Sequence, residues 1–458
     1  MRNYKAKFKN LRKRYPKFIY QDYLYNLKGG NLEISFLFII EPNIQFRPTL
    51  IIKNIDKSRI KKTGKEVLAN LIFHLGLIEI PTYWKTTCSP EIIIKAGYLD
   101  KEQIKWWKNL IIKGMGQFFY ENKIDWRKPN FIKIICPKNL TEQSGKKSTI
   151  VGILPEFELK NRYLVPFAGG RDSIVTLESL KSSFAPASAK ATAGKKASED
   201  KGKINCFSVN PTKITQNVLK IAGIKKPIIV KRIIDGKLLA LNKKGYLNGH
   251  TPFTAVLSFL SVLCAVLFNY KHIVFSNEKS ADEGNVRYLS RMINHQWAKS
   301  SEFEKMFKNY SKKYLAKNLP TGRQGINYFS YLRKYGELEI SKMLIKYPKY
   351  FPVFSSCNAS MKIGAKQTRW CGNCPKCLFV YLTLYPFLFK KELMKIFGKD
   401  IFENRKLLPI MKTLLGQGKP KPFECVGTKK ESQLAFKLSL KKVKKEGKIP
   451  YLLAKIGH

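Results

Sequence analysis

The feature that most constrains this chain is a short glycine-rich turn between a strand-like run and a helix-like run. Arg162 to Phe167 is apolar enough for a buried strand, and Asp172 to Lys181 carries helical patterning. Between them lie Ala168, Gly169, Gly170 and Arg171, with Asp172 and Ser173 opening the helix. A strand that turns through two glycines into a helix brings N–H groups and the positive end of the helix dipole to one point, which suits a bound anion. Neither GxxxxGK[ST] nor GxGxxG is present here. The bland alternative is a glycine turn capped by Asp172.

The flanking sequence continues in the same alternation. Ile204 to Val209, Pro227 to Val230 and His272 to Phe275 read as strands, and a long helix starts at Pro252. The expectation is an α/β fold with a doubly wound, mostly parallel sheet over residues 158–385. Residues 1–155 read as an N-terminal α+β domain, a candidate substrate-binding part. It has strands at Leu32 to Ile40 and Thr49 to Ile52 and a helix from Asp100 to Phe119 with Trp106 and Trp107 as core. Residues 386–458 are Lys-rich with short amphipathic helices, a basic helical extension. The run PASAKATAGKKASEDKGK at Pro186 to Lys203 reads as an exposed low-complexity insertion, and Leu319 to Gly325 as a loop.

The 458 residues hold 85 Lys+Arg against 32 Asp+Glu, a net charge of +53. Such a field attracts nucleotides and nucleic acid. The lysines are spread along the whole chain and accompany an Ile-, Asn-, Phe- and Tyr-rich composition, so drift plus small anionic ligands is favoured over a dedicated nucleic-acid surface. The basic N-terminus leads into no apolar signal core, and Phe253 to Tyr270, the one segment near spanning length, reads as a buried helix. The expectation is a cytoplasmic protein with no membrane span. Nothing specifies an oligomeric state.

Three further clusters carry chemistry. Cys371, Cys374 and Cys377 stand at CxxCxxC spacing with Cys357 upstream, a set suited to closing a structural Zn²⁺ site; a bare reduced cluster or an iron–sulfur cluster are the alternatives. His250, in Asn248 to Pro252, precedes the long helix and can bind an anion, act as acid or base, or simply cap. The run Ser276 to Asn285 follows the strand His272 to Phe275, where loops line the crevice of an open sheet. Its Glu278 and Glu283 are candidate general bases or metal ligands, against a solvated loop.

The turn resembles the SGGxDS signature of the PP-loop ATP pyrophosphatases, with Gly169, Gly170, Asp172 and Ser173 matching, Arg171 at the variable position and Ala168 where that family has serine. The resemblance implies ATP binding at Gly169 to Ser173, cleavage to AMP and pyrophosphate, and Mg²⁺. Asp172 either contributes to the metal directly or caps the helix. With the cysteines, the loop first suggests the 7-cyano-7-deazaguanine synthases, which lack a domain like residues 1–155. A longer resemblance, over Phe73 to Pro90, Pro166 to Glu178, Leu247 to Ala255, Phe275 to Asn285 and Ser356 to Leu382, is to the UDP-N-acetylmuramoyl-L-alanyl-L-glutamate epimerases of peptidoglycan synthesis. It implies conversion of the terminal L-Glu of UDP-MurNAc-L-Ala-L-Glu to D-Glu through a carboxyl adenylate. Glu278 and His250 are the expected acid/base residues, with Glu283 a further candidate. The runner-up is a PP-loop enzyme that adenylates a tRNA or nucleobase, and a third reading is a nucleic-acid-binding module with a degenerate loop.

Overall fold

The computed structural model describes residues 4–137, 159–184, 203–315, 325–359, 369–418 and 420–457. The expected insertion at 186–203 therefore lies outside the described residues except for Lys203, as do the boundary near 155–158 and most of the 319–325 loop.

The strands are β1 (Lys17–Lys28), β2 (Asn31–Ile40), β3 (Ile44–Phe46), β4 (Thr49–Ile52), β5 (Glu91–Ile94), β6 (Lys133–Ile135), β7 (Tyr163–Pro166), β8 (Ile204–Val209), β9 (Ile228–Ile233), β10 (His272–Phe275), β11 (Val286–Tyr288), β12 (Arg291–Ile293) and β13 (Asn327–Ser330). All but the small β11–β12 hairpin join one sheet in the order β13-β10-β7-β8-β9-β4-β2-β1-β5-β6, with β3 beside β2. From β13 to β9 every pairing is parallel. β9 meets β4 antiparallel, so strands from before and after the glycine-rich turn share one sheet. The expected mostly parallel α/β sheet is present, with an antiparallel centre at β9–β4–β2–β1.

Local chemistry explains the elements. β2 alternates buried and half-buried along its length, the period-2 signature of a strand. β1 and β2 close through Gly29 and Gly30, whose φ of 55° and 71° suit a two-residue primed turn. Asp100 caps the helix Lys101–Gly114 by a capping box with Gln103. The helix expected to run to Phe119 breaks at Met115 and resumes as Gly116–Glu121. Trp107 is core, donating its Nε1–H to Tyr310 Oη at 2.9 Å.

Adjacent residues of the parallel strands point to opposite faces, and each face has its own core. Leu164, Phe207 and Ile273 join one, under the helices Lys65–Trp84 and Phe253–Phe268. Val165, Cys206 and Val274 join the other, under Arg171–Phe184, Glu337–Leu344 and Pro375–Leu384. Helices on both faces are what near-continuous apolar strands require. Phe253–Phe268 is buried, as expected. Among the described residues one helix, Lys65–Trp84, is long and apolar enough to cross a membrane, and 94% of its 18-residue apolar stretch is buried inside the fold.

Candidate active site at the sheet's switch point

In chain order the parallel strands β7, β8, β9, β10 and β13 lie as 3-2-1-4-5, so the order reverses between β7 and β10. Ligands of open α/β sheets bind outside the carboxyl ends of the strands at such a reversal. The glycine-rich turn leaves β7 there, and Ser276 to Asn285 leaves β10 there.

The turn is tightly walled. Gly169 has φ of +80°, and a Cβ on it would sit 3.1 Å from Thr215 Cα, so this position needs glycine. A Cβ on Gly170 would sit 3.1 Å from Ser356 Oγ. Thr215 Oγ1 donates to the Ala168 carbonyl at 3.0 Å, and Ser173 Oγ to the Gly170 carbonyl at 2.9 Å. The Arg171 N–H donates to Ser356 Oγ at 3.1 Å. Ser356, from a segment distant in sequence, thus brings a hydroxyl to the turn.

Arg171 and Asp172 serve different ends. The Arg171 guanidinium is fully buried and turned into the protein, donating to Asp172 Oδ1 at 2.8 Å and to Glu337 Oε2. Its charge is committed to these carboxylates, so Arg171 organises the loop from behind. Burial works to raise the Asp172 carboxyl, but Arg171, Lys376 and Lys299 outweigh it and hold the group below the usual carboxylate range. An ionised, half-buried carboxylate at a phosphate-type turn is a fitting oxygen ligand for Mg²⁺.

Across the reversal, Glu278 is buried, and its Oε2 makes no hydrogen bond among the described residues. Its backbone carbonyl accepts from Arg333 at 2.9 Å. Glu283 is occupied instead. Its Oε1 lies 3.3 Å from Lys421 Nζ and accepts from the Lys429 N–H at 3.4 Å, pinning the C-terminal region. Of the two candidates in this loop, Glu278 has the buried oxygen left without a hydrogen bond among the described residues.

His250 lies against His295, ring centroids 4.5 Å apart. His295 is fixed by Gln117 Oε1 at 2.5 Å from its Nδ1 and by Asn285 Oδ1, which accepts its backbone N–H at 2.8 Å. Burial, helped by the Lys85 charge, brings His250 down to about 4. Burial, then His250, Lys299 and Lys421, bring His295 down to about 3. Both rings are neutral near pH 7, as proton acceptors must be. His250 and Glu278 do not touch. Lys299 lies between their neighbourhoods, its ammonium held charged against burial by Cys425, Glu278 and Asp172.

Sequence reasoning missed His295, Lys299, Glu337, Lys421 and Cys425. Cys425 stands alone in the sequence, yet its Sγ is 3.4 Å from Lys299 Nζ and its carbonyl accepts from Lys376. These groups gather only through the fold, and no spacing signals them. Ser356 and Lys376 did lie inside a stretch singled out for its family resemblance.

Cys357, Cys371, Cys374 and Cys377 come together with all four Sγ atoms within 4.8 Å of one another. Neighbouring sulfurs are 3.4, 3.7 and 3.9 Å apart. The edge of a tetrahedron around an ion bonded to thiolates would be about 3.8 Å. Backbone N–H groups of Asn373 and Cys377 point at Cys371 and Cys374 sulfur, each at 3.4 Å. The donor set and spacing fit a closed tetrahedral metal site. It lies one residue from Ser356, and the Ser355 N–H donates to the Gly169 carbonyl at 3.4 Å. The cysteine knot therefore anchors the wall of the glycine-rich turn.

Two family models match the chain, the MurL N-terminal domain over residues 9–331 and the MurL C-terminal domain over 353–452. Among curated relatives, a UDP-N-acetyl-alpha-D-muramoyl-L-alanyl-L-glutamate epimerase of Salinispora tropica is 32% identical, over 81% of this chain and 73% of that protein. Proteins of the same name from a Micromonospora species and from Xanthomonas oryzae pv. oryzae are 34% and 31% identical. They match over 71% and 79% of this chain and 65% and 72% of their own lengths.

Proposed function

The chain belongs to the UDP-N-acetyl-alpha-D-muramoyl-L-alanyl-L-glutamate epimerase family, and on that premise we propose that it inverts the terminal L-Glu of UDP-MurNAc-L-Ala-L-Glu, using ATP to activate a carboxylate. The observation that carries the ATP half is the glycine turn at the switch point, with ionised Asp172 at its helix start and Ser356 on its wall.

The chemistry requires activation. Removing the α-proton beside a carboxylate would create a second negative charge on the same fragment. In the proposed sequence a substrate carboxylate oxygen attacks the α-phosphorus of ATP, and pyrophosphate leaves. The acyl adenylate no longer carries that negative charge, so its enolate is far more accessible. A base takes the Cα proton, an acid returns one to the opposite face, and water attack on the acyl carbon releases AMP. Glu278, with its unbonded oxygen, and neutral His250 are the assigned pair, approaching from the β10 and β9–β10 loops. Asp172 would hold Mg²⁺, which would neutralise phosphate charge when bound; its ionised carboxylate supports this role. The four cysteines are assigned a structural Zn²⁺. With ATP and a nucleotide-linked precursor as substrates, the reaction belongs in the cytoplasm.

The test is incubation with ATP, Mg²⁺ and UDP-MurNAc-L-Ala-L-Glu in deuterium oxide. AMP and the D-Glu product should form together, with one deuterium at Cα. Absence of substrate-dependent AMP would sink the proposal. If Glu278→Gln and His250→Asn both kept wild-type exchange and turnover, the base assignment alone would fall.

A further inference from the structure

The C-terminal region, expected as a basic helical extension, sends one strap into the crevice. Asn285 ties it there: its Nδ2–H donates to the Pro422 carbonyl at 2.7 Å, while its Oδ1 holds the backbone of His295. Phe423 places its ring 6.4 Å from His295 and 5.3 Å from Tyr120. Lys421 is carried in with them and is only 3% exposed.

Its ammonium is poorly served. Nζ lies 3.3 Å from Glu283 Oε1, an ion pair that is not aligned as a hydrogen bond, and it makes no hydrogen bond among the described residues. Glu283 is itself one-third exposed and shared with the Lys429 N–H. A buried ammonium has three donors and is expensive to leave unsatisfied. A lysine in that condition beside a reacting crevice calls for an anion from outside the chain.

Position decides which anion. Lys299 and Lys376 are lysines whose charges act on Asp172 at the glycine turn. Lys421 instead follows the strap to the His295 side, where its neighbours Pro422 and Phe423 meet Asn285 and His295 and its charge acts on the His295 ring, which packs on His250. Once one carboxyl of the terminal glutamate is adenylated, the other remains charged near the carbon to be deprotonated. A fixed cation there both anchors the residue and offsets the repulsion.

We propose that Lys421 binds the unactivated side-chain carboxylate of the substrate's terminal glutamate, making the C-terminal strap the specificity element of the site. This rests on the epimerase reading above. The experiment compares wild type, Lys421→Met and Lys421→Arg on UDP-MurNAc-L-Ala-L-Glu and on the analogue ending in L-Gln. The expected result for Lys421→Met is a KM for the glutamate substrate raised by roughly 10- to 100-fold, the range of a charge-assisted hydrogen bond, with the ATP KM within about twofold. Its preference for Glu over Gln should collapse, and Lys421→Arg should restore part of it. An unchanged preference overturns the proposal. So does a shift confined to the ATP KM and pyrophosphate inhibition, which would assign Lys421 to phosphate. If Lys421→Met does not fold by circular dichroism, the wild type decides: kcat/KM for the Gln analogue within about threefold of the Glu substrate refutes the role. A wild type that forms no AMP fails the epimerase reading instead, so the two failures are distinguishable.

Discussion

Single residues in this crevice have been given opposite jobs by their surroundings. Glu278 and Glu283 lie five positions apart on one loop, yet one keeps a free buried oxygen and the other holds the strap. Arg171 and Asp172 are neighbours, and the first is consumed in holding the second ionised. His250 shows how far burial, helped by the Lys85 charge, can tune a group. With its proton lost down to about 4, the ring is a free base throughout the physiological range. The folded value lies below the ordinary 6.5 or so, so protonation, and loss of the base, occurs only as pH falls through about 4. The acid limb of kcat in the wild type should therefore not fall at 6–7. A rate that halves near 6.5, and a limb that vanishes in His250→Asn, would show the imidazole titrating normally and contradict the burial argument.

At the scale of elements, the cysteine knot is the clearest mechanical device. It fixes the segment Ser355 to Cys357, and that segment supplies the N–H partner of the Gly169 carbonyl and the hydroxyl partner of the Arg171 N–H in the glycine turn. If a divalent ion closes the knot, its removal should reach the turn before it unfolds the sheet. Treatment with a strong chelator, or Cys374→Ser, should release one zinc per chain and raise the ATP KM by about tenfold or more while most secondary structure remains. Retained ATP affinity in the metal-free protein would separate the knot from the turn.

The elements also show what sequence can reveal. β8 and β10 were read to the residue because short apolar runs are bounded by polar turn formers. The glycine turn and the CxxCxxC set were legible because both depend on local spacing. β1 was missed because its second half is only partly buried and mixes Asp22, Asn26 and tyrosines. Lys65–Trp84 escaped as the longest apolar helix because Glu79, His74 and Pro81 interrupt it, and the fold gives Glu79 and His74 partners within the core. His74 bonds the Asn70 carbonyl at 2.8 Å and Tyr310 Oη at 2.9 Å.

At the scale of the whole molecule, the described residues form one large sheet with two cores, beside the small β11–β12 hairpin, and the strands before and after the glycine turn are joined by more than pairing. Arg232 on β9 makes a bidentate contact, both distances 2.6 Å, with Glu79 on Lys65–Trp84. Glu79 is 1% exposed. Removing one partner of a buried pair leaves the other uncompensated, at about 3–5 kcal/mol. Glu79→Ala should lower the urea midpoint correspondingly; a change within about 0.5 kcal/mol would mean the pair is solvated on opening and carries no such tie. The same long-range closure explains why His295, Lys299 and Lys421 were invisible in the sequence. They come from the loop after the β12 strand and from the C-terminal strap, and only the completed fold sets them beside Glu278 and His250.

The central claim is that the glycine turn activates a carboxylate of the substrate by forming an acyl adenylate. The most direct measurement follows oxygen. UDP-MurNAc-L-Ala-L-Glu labelled with ¹⁸O in the α-carboxylate is turned over with ATP in ordinary water, and the AMP is weighed by mass spectrometry. The account predicts one ¹⁸O in each AMP, the former bridging oxygen, retained when water attacks the acyl carbon. AMP free of label, formed at the rate of epimerisation, would contradict it.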